Sequence, residues 1–234
     1  MLEPDRLAWL VSLEGVGSAY AATRDGIDAM LRDRGLRRTS AEQTGEALLR
    51  GAHASAALAG SSSTLAQVRE GLGDEVANAS VRISAEVLGL TPVFQRSPLQ
   101  ALARLDVLAG GTGRPATDLA AQRLQGLADA VTTTKIPALV VAALVHADVL
   151  TTHAFADTSG LVARAAERLI LIARGVDPAS LVVPEAGHLA LRPEYESNLA
   201  AYATSRPEGL HAWLLYAAEA YTAGAEASPL RDRT

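Results

Sequence analysis

From Thr117 onward, Ala120, Leu124, Leu127 and Val131 recur at intervals of three and four, which lays an apolar stripe along one face of an α-helix. Leu161, Val162, Ala165, Leu169 and Ile172 make a second stripe, and Leu210, Trp213, Leu214, Ala217 and Tyr221 a third. Residues 138–152 differ. They are apolar on nearly every side until His146, the pattern of a helix buried on all faces at the centre of a bundle. Proline, glycine and capping residues punctuate the rest. They predict helices over 7–34 (interrupted at Gly15 and Gly17), 40–58, 74–88 (stopped by Gly89 and Pro92), 97–108 (opened by Ser97-Pro98), 117–131, 161–174 and 193–204. Gly60-Ser61-Ser62-Ser63-Thr64 reads as a polar break with N-cap candidates. Ser205-Arg206-Pro207-Glu208 predicts a capping box that opens a last helix, which Gly224 ends. Strand-like alternation is confined to 180–183 and the edges of the glycine-rich stretch 110–115. The predicted class is all-α, a mainly helical bundle with at most a short β-hairpin, and without internal repeats or a long linker.

Composition supports that class. Alanine, the strongest helix former, supplies 47 of 234 residues, and aromatics only 4%. The absence of cysteine excludes disulfides, zinc–thiolate centres and cysteine nucleophiles. A net charge of −5 gives no electrostatic footprint for nucleic acid. The one basic cluster, Arg32 to Arg38, reads as a solvated helix end and loop. The first residues lack the basic and apolar regions of a signal peptide, and the longest apolar run, 136–145, is too short to span a bilayer. A cytoplasmic protein with no membrane partner is expected.

Chemistry concentrates in residues 153–164. A histidine, His153, ends one buried helix, and a carboxylate, Asp157, follows four residues on. Three small residues, Thr158, Ser159 and Gly160, lead into the next helix, whose free amides and dipole favour an anion. Asp157 could hold Mg²⁺ bridging phosphates, Arg164 could point back at a phosphate, and His153 could serve as general base. Each also has a structural reading: His153 as a helix-end cap, 157–159 as an N-cap, Arg164 and Glu167 as surface charges. A third reading is a histidine metal site, against which the spacing along the chain argues. His146 and His153 are seven apart, about 10 Å by helix rise and too far for one ion. His53, His188 and His211 show no ligand spacing.

The 153–164 segment resembles the motif of the Fic (Fido) family, H-P-F-x-(D/E)-G-N-G-R-x-x-R, without a gap. The resemblance covers roughly residues 55–225. It implies His153 as catalytic base, Phe155 as buried anchor, Asp157 as magnesium ligand, Thr158, Ser159 and Gly160 as the phosphate-binding loop, and Arg164 as its second arginine. It places a target-docking flap over Gly110, Gly111, Thr112, Gly113 and Arg114, and likens the C-terminal helices, with Pro184-Glu185-Ala186 and Trp213, to those of actinobacterial Fic proteins. It divides the chain into N-terminal helices (1–54), a Fic-like domain (55–227) and a flexible tail (228–234).

The departures are specific. Ala154 replaces the motif's proline, Thr158 its first glycine, Ser159 its asparagine and Leu161 its first arginine. Each lost charge-assisted phosphate contact is worth about 1.5–3 kcal/mol. The family's inhibitory motif, (S/T)-x-x-x-E-(G/N), maps to Ser55–Gly60, with Ala59 where its glutamate would pair with the second arginine. Two functions follow from the resemblance. One is a divergent nucleotidyltransferase that moves AMP, or a related phosphate-containing group, from ATP with Mg²⁺ onto a hydroxyl of a target protein. The other is a catalytically degenerate Fic fold kept as a binding or regulatory module. The apolar N-terminal helices also suggest a homodimer contact.

Overall fold

The computed structural model describes residues 5–33 and 40–232, so Arg34, Arg37 and Arg38 of the basic cluster lie outside the described residues. The helices are α1 (Val16–Asp33), α2 (Ala41–Leu58), α3 (Leu65–Arg69), α4 (Glu75–Arg96), α5 (Pro98–Ala109), α6 (Asp118–Thr133), α7 (Ala138–Thr151), α8 (Ser159–Ala173), α9 (Pro184–Ala190), α10 (Arg192–Ala203) and α11 (Pro207–Glu226). Short stretches of 3-10 helix lie at Ala8–Ser12, Ala156–Thr158 and Pro229–Arg231, and the described residues contain no β-strand. None of the helices described is long and apolar enough to cross a membrane.

The all-apolar segment is the central rod. From Leu139 to Ala147 every residue of α7 except Leu144 is buried. The loop after α7 reverses the chain, and α8 packs alongside, buried from Leu161 to Ile172. α4 and α5 cover α8, α10 and α11 cover α7, α2 lies on α4 and α9, and α1 lies on α11. The N-terminal residues Leu10, Val16, Tyr20 and Ile27 join the main core, so α1 is part of the same hydrophobic body.

Several elements depart from the pattern reading. α4 continues through Gly89 and Pro92 to Arg96. Proline inside a helix costs about 3 kcal/mol, but stopping at Leu88 would strip Leu90 and Phe94 from a buried stripe that begins with Ile83 and Val87. The box at Ser205 does not form. Ser205 adopts a left-handed backbone (φ 57°), Arg206 is the N-cap without a side-chain bond, and α11 runs past Gly224 to Glu226. True capping boxes sit instead at Ser40/Gln43 and Thr64/Gln67. The 180–183 segment is not a strand. It leads into α9, with Val183 N–H donating to Gly224 O at 3.0 Å. Part of the tail expected to be flexible is packed: Leu230 is buried, and Arg50 pairs with Asp232.

Candidate functional site

The loop between α7 and α8 is tight. His153 and Ala156 both take left-handed backbone conformations (φ 49° and 52°). His153 N–H closes onto Leu150 O, Ala154 N–H onto Val149 O, and Ala156 N–H onto His153 O. Ala154 and Phe155 are buried, while the side chains of His153 and Asp157 are exposed. Both exposed residues are free to meet a ligand from solvent.

The expected anion loop is turned on itself. The Thr158 amide donates to Phe155 O and the Ser159 amide to Ala156 O. Ser159 Oγ, 1% exposed, accepts from Phe155 N–H at 2.9 Å and donates to Ala156 O at 2.7 Å. Thr158 Oγ1 lies in reach of Phe155 O and of Asp106 Oδ1. Asp106, buried at the end of α5, was not singled out by the sequence. Its carboxylate also accepts Gly113 N–H at 2.7 Å, so one side chain holds the 110–117 loop against the α7–α8 loop. That carboxylate lies against Gly111, where a Cβ would stand 2.2 Å from Oδ1, so a side chain at 111 would displace the carboxylate. No hairpin forms here. Residues 110–117 are an irregular loop, with Gly110, Thr112 and Arg114 exposed and Ala116 N–H donating to Ala154 O at 2.9 Å.

Arg164 does not face solvent. It is 2% exposed, donates from Nε to Ser55 Oγ and from one terminal nitrogen to Ser55 O, both at 2.9 Å, and from the other to Tyr195 Oη at 3.3 Å. Ser55 on α2 therefore occupies this arginine directly, while Ala59 and Gly60 are exposed at the end of that helix. Gly160 is the second residue of α8, and the Arg164 guanidinium lies close over it. Leu161 is buried and lines, with Ser55, Ser80 and Arg168, a void of about 10 Å³, room for one water at most.

No family model matches the chain, and neither does any curated protein. Solved structures do. A Fic family protein from Desulfovibrio desulfuricans G20 superposes with a TM-score of 0.76 over 92% of this chain and 74% of its own, at 18% identity. A segment of Fic-1 from C. elegans superposes with a TM-score of 0.69 over 95% and 74%, at 16% identity. The chain has the Fic fold. Identity this low carries the architecture and leaves the chemistry to the residues themselves.

At the centre of this Fic fold lies a polar cluster that the sequence reading missed. Glu167, read as a surface charge, is fully buried on α8. His188 Nε2 lies 3.1 Å from Glu167 Oε2 and 3.3 Å from Oε1, and His146 Nδ1 lies 3.0 Å from Oε2. The two imidazoles stand edge to face at 4.8 Å. Tyr221 Oη donates to Glu167 Oε1 at 2.7 Å, and the outer nitrogens of His146 and His188 each lie 2.9 Å from a phenol, Tyr195 and Tyr216. Burial alone would raise the Glu167 carboxyl, but the His146 and His188 rings outweigh it and hold the group well below the usual carboxylate range. Burial lowers His146. The histidines were invisible as a pair because they are 42 positions apart in sequence, on α7 and α9. The available hint was a glutamate inside the apolar stripe of α8.

Proposed function

We propose that this Fic-fold protein is a binding or regulatory module whose nucleotide-transfer site is closed. The carrying observation is Arg164: the guanidinium that would hold a distal phosphate is inside the core, with its donors on Ser55 and Tyr195. Leu161 puts a buried apolar side chain where a second cation would stand, and the hydroxyls of Thr158 and Ser159 serve their own loop. These residues do not fit a polyphosphate with its magnesium ion. Of the expected contacts Asp157 is exposed, Thr158 and Gly160 are half-buried, and Ser159 and Arg164 are buried. Titration of the protein with Mg²⁺-ATP tests this reading, which expects no saturable binding.

The exposure of His153 and Asp157 favours a second reading, transfer of AMP or a related phosphate-containing group to a protein hydroxyl, for which Arg164 must first leave Ser55. In that case His153→Ala abolishes incorporation of label from nucleotide into a target while sparing nucleotide binding.

A further inference from the structure

Three donor atoms from three helices converge in the middle of the bundle: His146 Nδ1 from α7, Glu167 Oε2 from α8 and His188 Nε2 from α9, all within 4.8 Å of one another. We propose that they form a closed site for a divalent cation of the zinc class, which pins α7, α8 and α9 together.

The spacing is that of ligands sharing an ion. Donors bound at about 2.1 Å around a tetrahedral centre stand roughly 3.4 Å from each other. The Glu167 oxygen lies 3.0 Å from His146 Nδ1 and 3.1 Å from His188 Nε2, near that spacing, and the two ring nitrogens lie within 4.8 Å of one another, so a modest closing of the rings admits the ion. Hydrogen bonding accounts for His188 but not for His146. The Nδ1 atom of His146 is fully enclosed and close to the carboxylate, yet it is not oriented to bond with it and has no other partner. A buried ring nitrogen left without a partner is rare, and one within 4.8 Å of both another imidazole nitrogen and a carboxylate oxygen suits a metal ligand.

The surroundings match the choice. Tyr195 and Tyr216 hold the outer nitrogens of the two rings, and Tyr221 holds the second oxygen of Glu167, so each donor is oriented from behind. Two imidazoles and one carboxylate select zinc-like transition metals over magnesium or calcium, which prefer all-oxygen sets. All three side chains are shielded from solvent, so the ion enters as the chain folds and its role is structural. The site is independent of the 153–158 loop.

Metal analysis of the purified full-length chain tests the proposal. The wild type and Asp157→Ala, whose carboxylate lies in the exposed loop, should each carry about one equivalent of a zinc-class metal. Glu167→Gln and His188→Leu should fall to background. Because either variant can misfold, the wild type is also unfolded in chelator and refolded with Co²⁺. A visible spectrum of protein-bound Co²⁺, distinct from the hydrated ion, that saturates at about one equivalent, together with a raised thermal midpoint, supports the site. The proposal is overturned by wild type that is metal-free as purified, refolds in chelator to an unchanged midpoint and leaves Co²⁺ hydrated. It is equally overturned if Asp157→Ala, rather than the core variants, removes the metal.

Discussion

Replacing Arg164 by methionine keeps an aliphatic stem of similar reach and removes the guanidinium. In the native protein that group is 2% exposed and makes three hydrogen bonds, two at 2.9 Å to Ser55 and one at 3.3 Å to Tyr195. Bonds from a charged donor are worth about 1.5–3 kcal/mol each, and buried acceptors left unpaired add about 1–3 kcal/mol. The long Tyr195 bond counts for least, and methionine recovers part of the packing. The net expected loss is about 3–5 kcal/mol, the range for breaking one side of a buried polar cluster. For a domain of this size that lowers the thermal midpoint by roughly 6–20 °C. Calorimetry or a denaturant titration of Arg164→Met against wild type reads it directly. An arginine kept for phosphate binding gives the opposite result, since removing an unpaired cation from a site leaves stability unchanged or improves it. A midpoint within about 2 °C of wild type would therefore refute the closed-site argument.

Three further perturbations probe the framework. Asp106→Ala strands Gly113 N–H and leaves the Thr158 hydroxyl to Phe155 O alone, so it should cost about 1–3 kcal/mol and expose 110–117 to limited proteolysis; an unchanged digestion pattern contradicts the tether. Gly51→Ala places a Cβ 2.4 Å from an Arg168 nitrogen and 3.0 Å from Glu185 Oε2. That ion pair is itself buried and two-pronged, so the expected loss is about 2–4 kcal/mol, and a variant within about 0.5 kcal/mol of wild type shows that the pair can give way. Burial pushes the Asp177 carboxyl from 3.8 up to about 6. A folded-state pKa raised in this way means stability is fullest below the unfolded value and is lost as pH rises through that window. The wild type should lose roughly 3 kcal/mol relative to Asp177→Asn between about pH 4 and pH 6.5, and parallel pH profiles would contradict it.

What was legible in the sequence follows from what is local. The continuous apolar run of α7 and the Ser97-Pro98 start of α5 are statements about neighbours in the chain, and the structure repeats them. Pro92 misled because a local breaker yielded to the burial of Leu90 and Phe94, which only tertiary packing supplies. The Ser205 box failed for the converse reason: the turn from α10 into α11 sets Ser205 to a left-handed backbone, from which its hydroxyl does not cap. The 153–164 segment stood out because its residue types and spacing are contiguous. Its state did not, because the Ser55 that holds Arg164 is 109 residues away. The buried His146–Glu167–His188 cluster joins three helices, two of whose members carry no distinguishing pattern of their own.

Isothermal titration of the pure, folded protein with ATP, GTP, CTP and UTP, each with Mg²⁺, tests the central claim most directly. A closed site predicts no saturable heat with any of the four. Micromolar to millimolar binding that weakens in Asp157→Ala and Arg164→Ala would contradict it, and would place the 153–164 loop back in nucleotide chemistry.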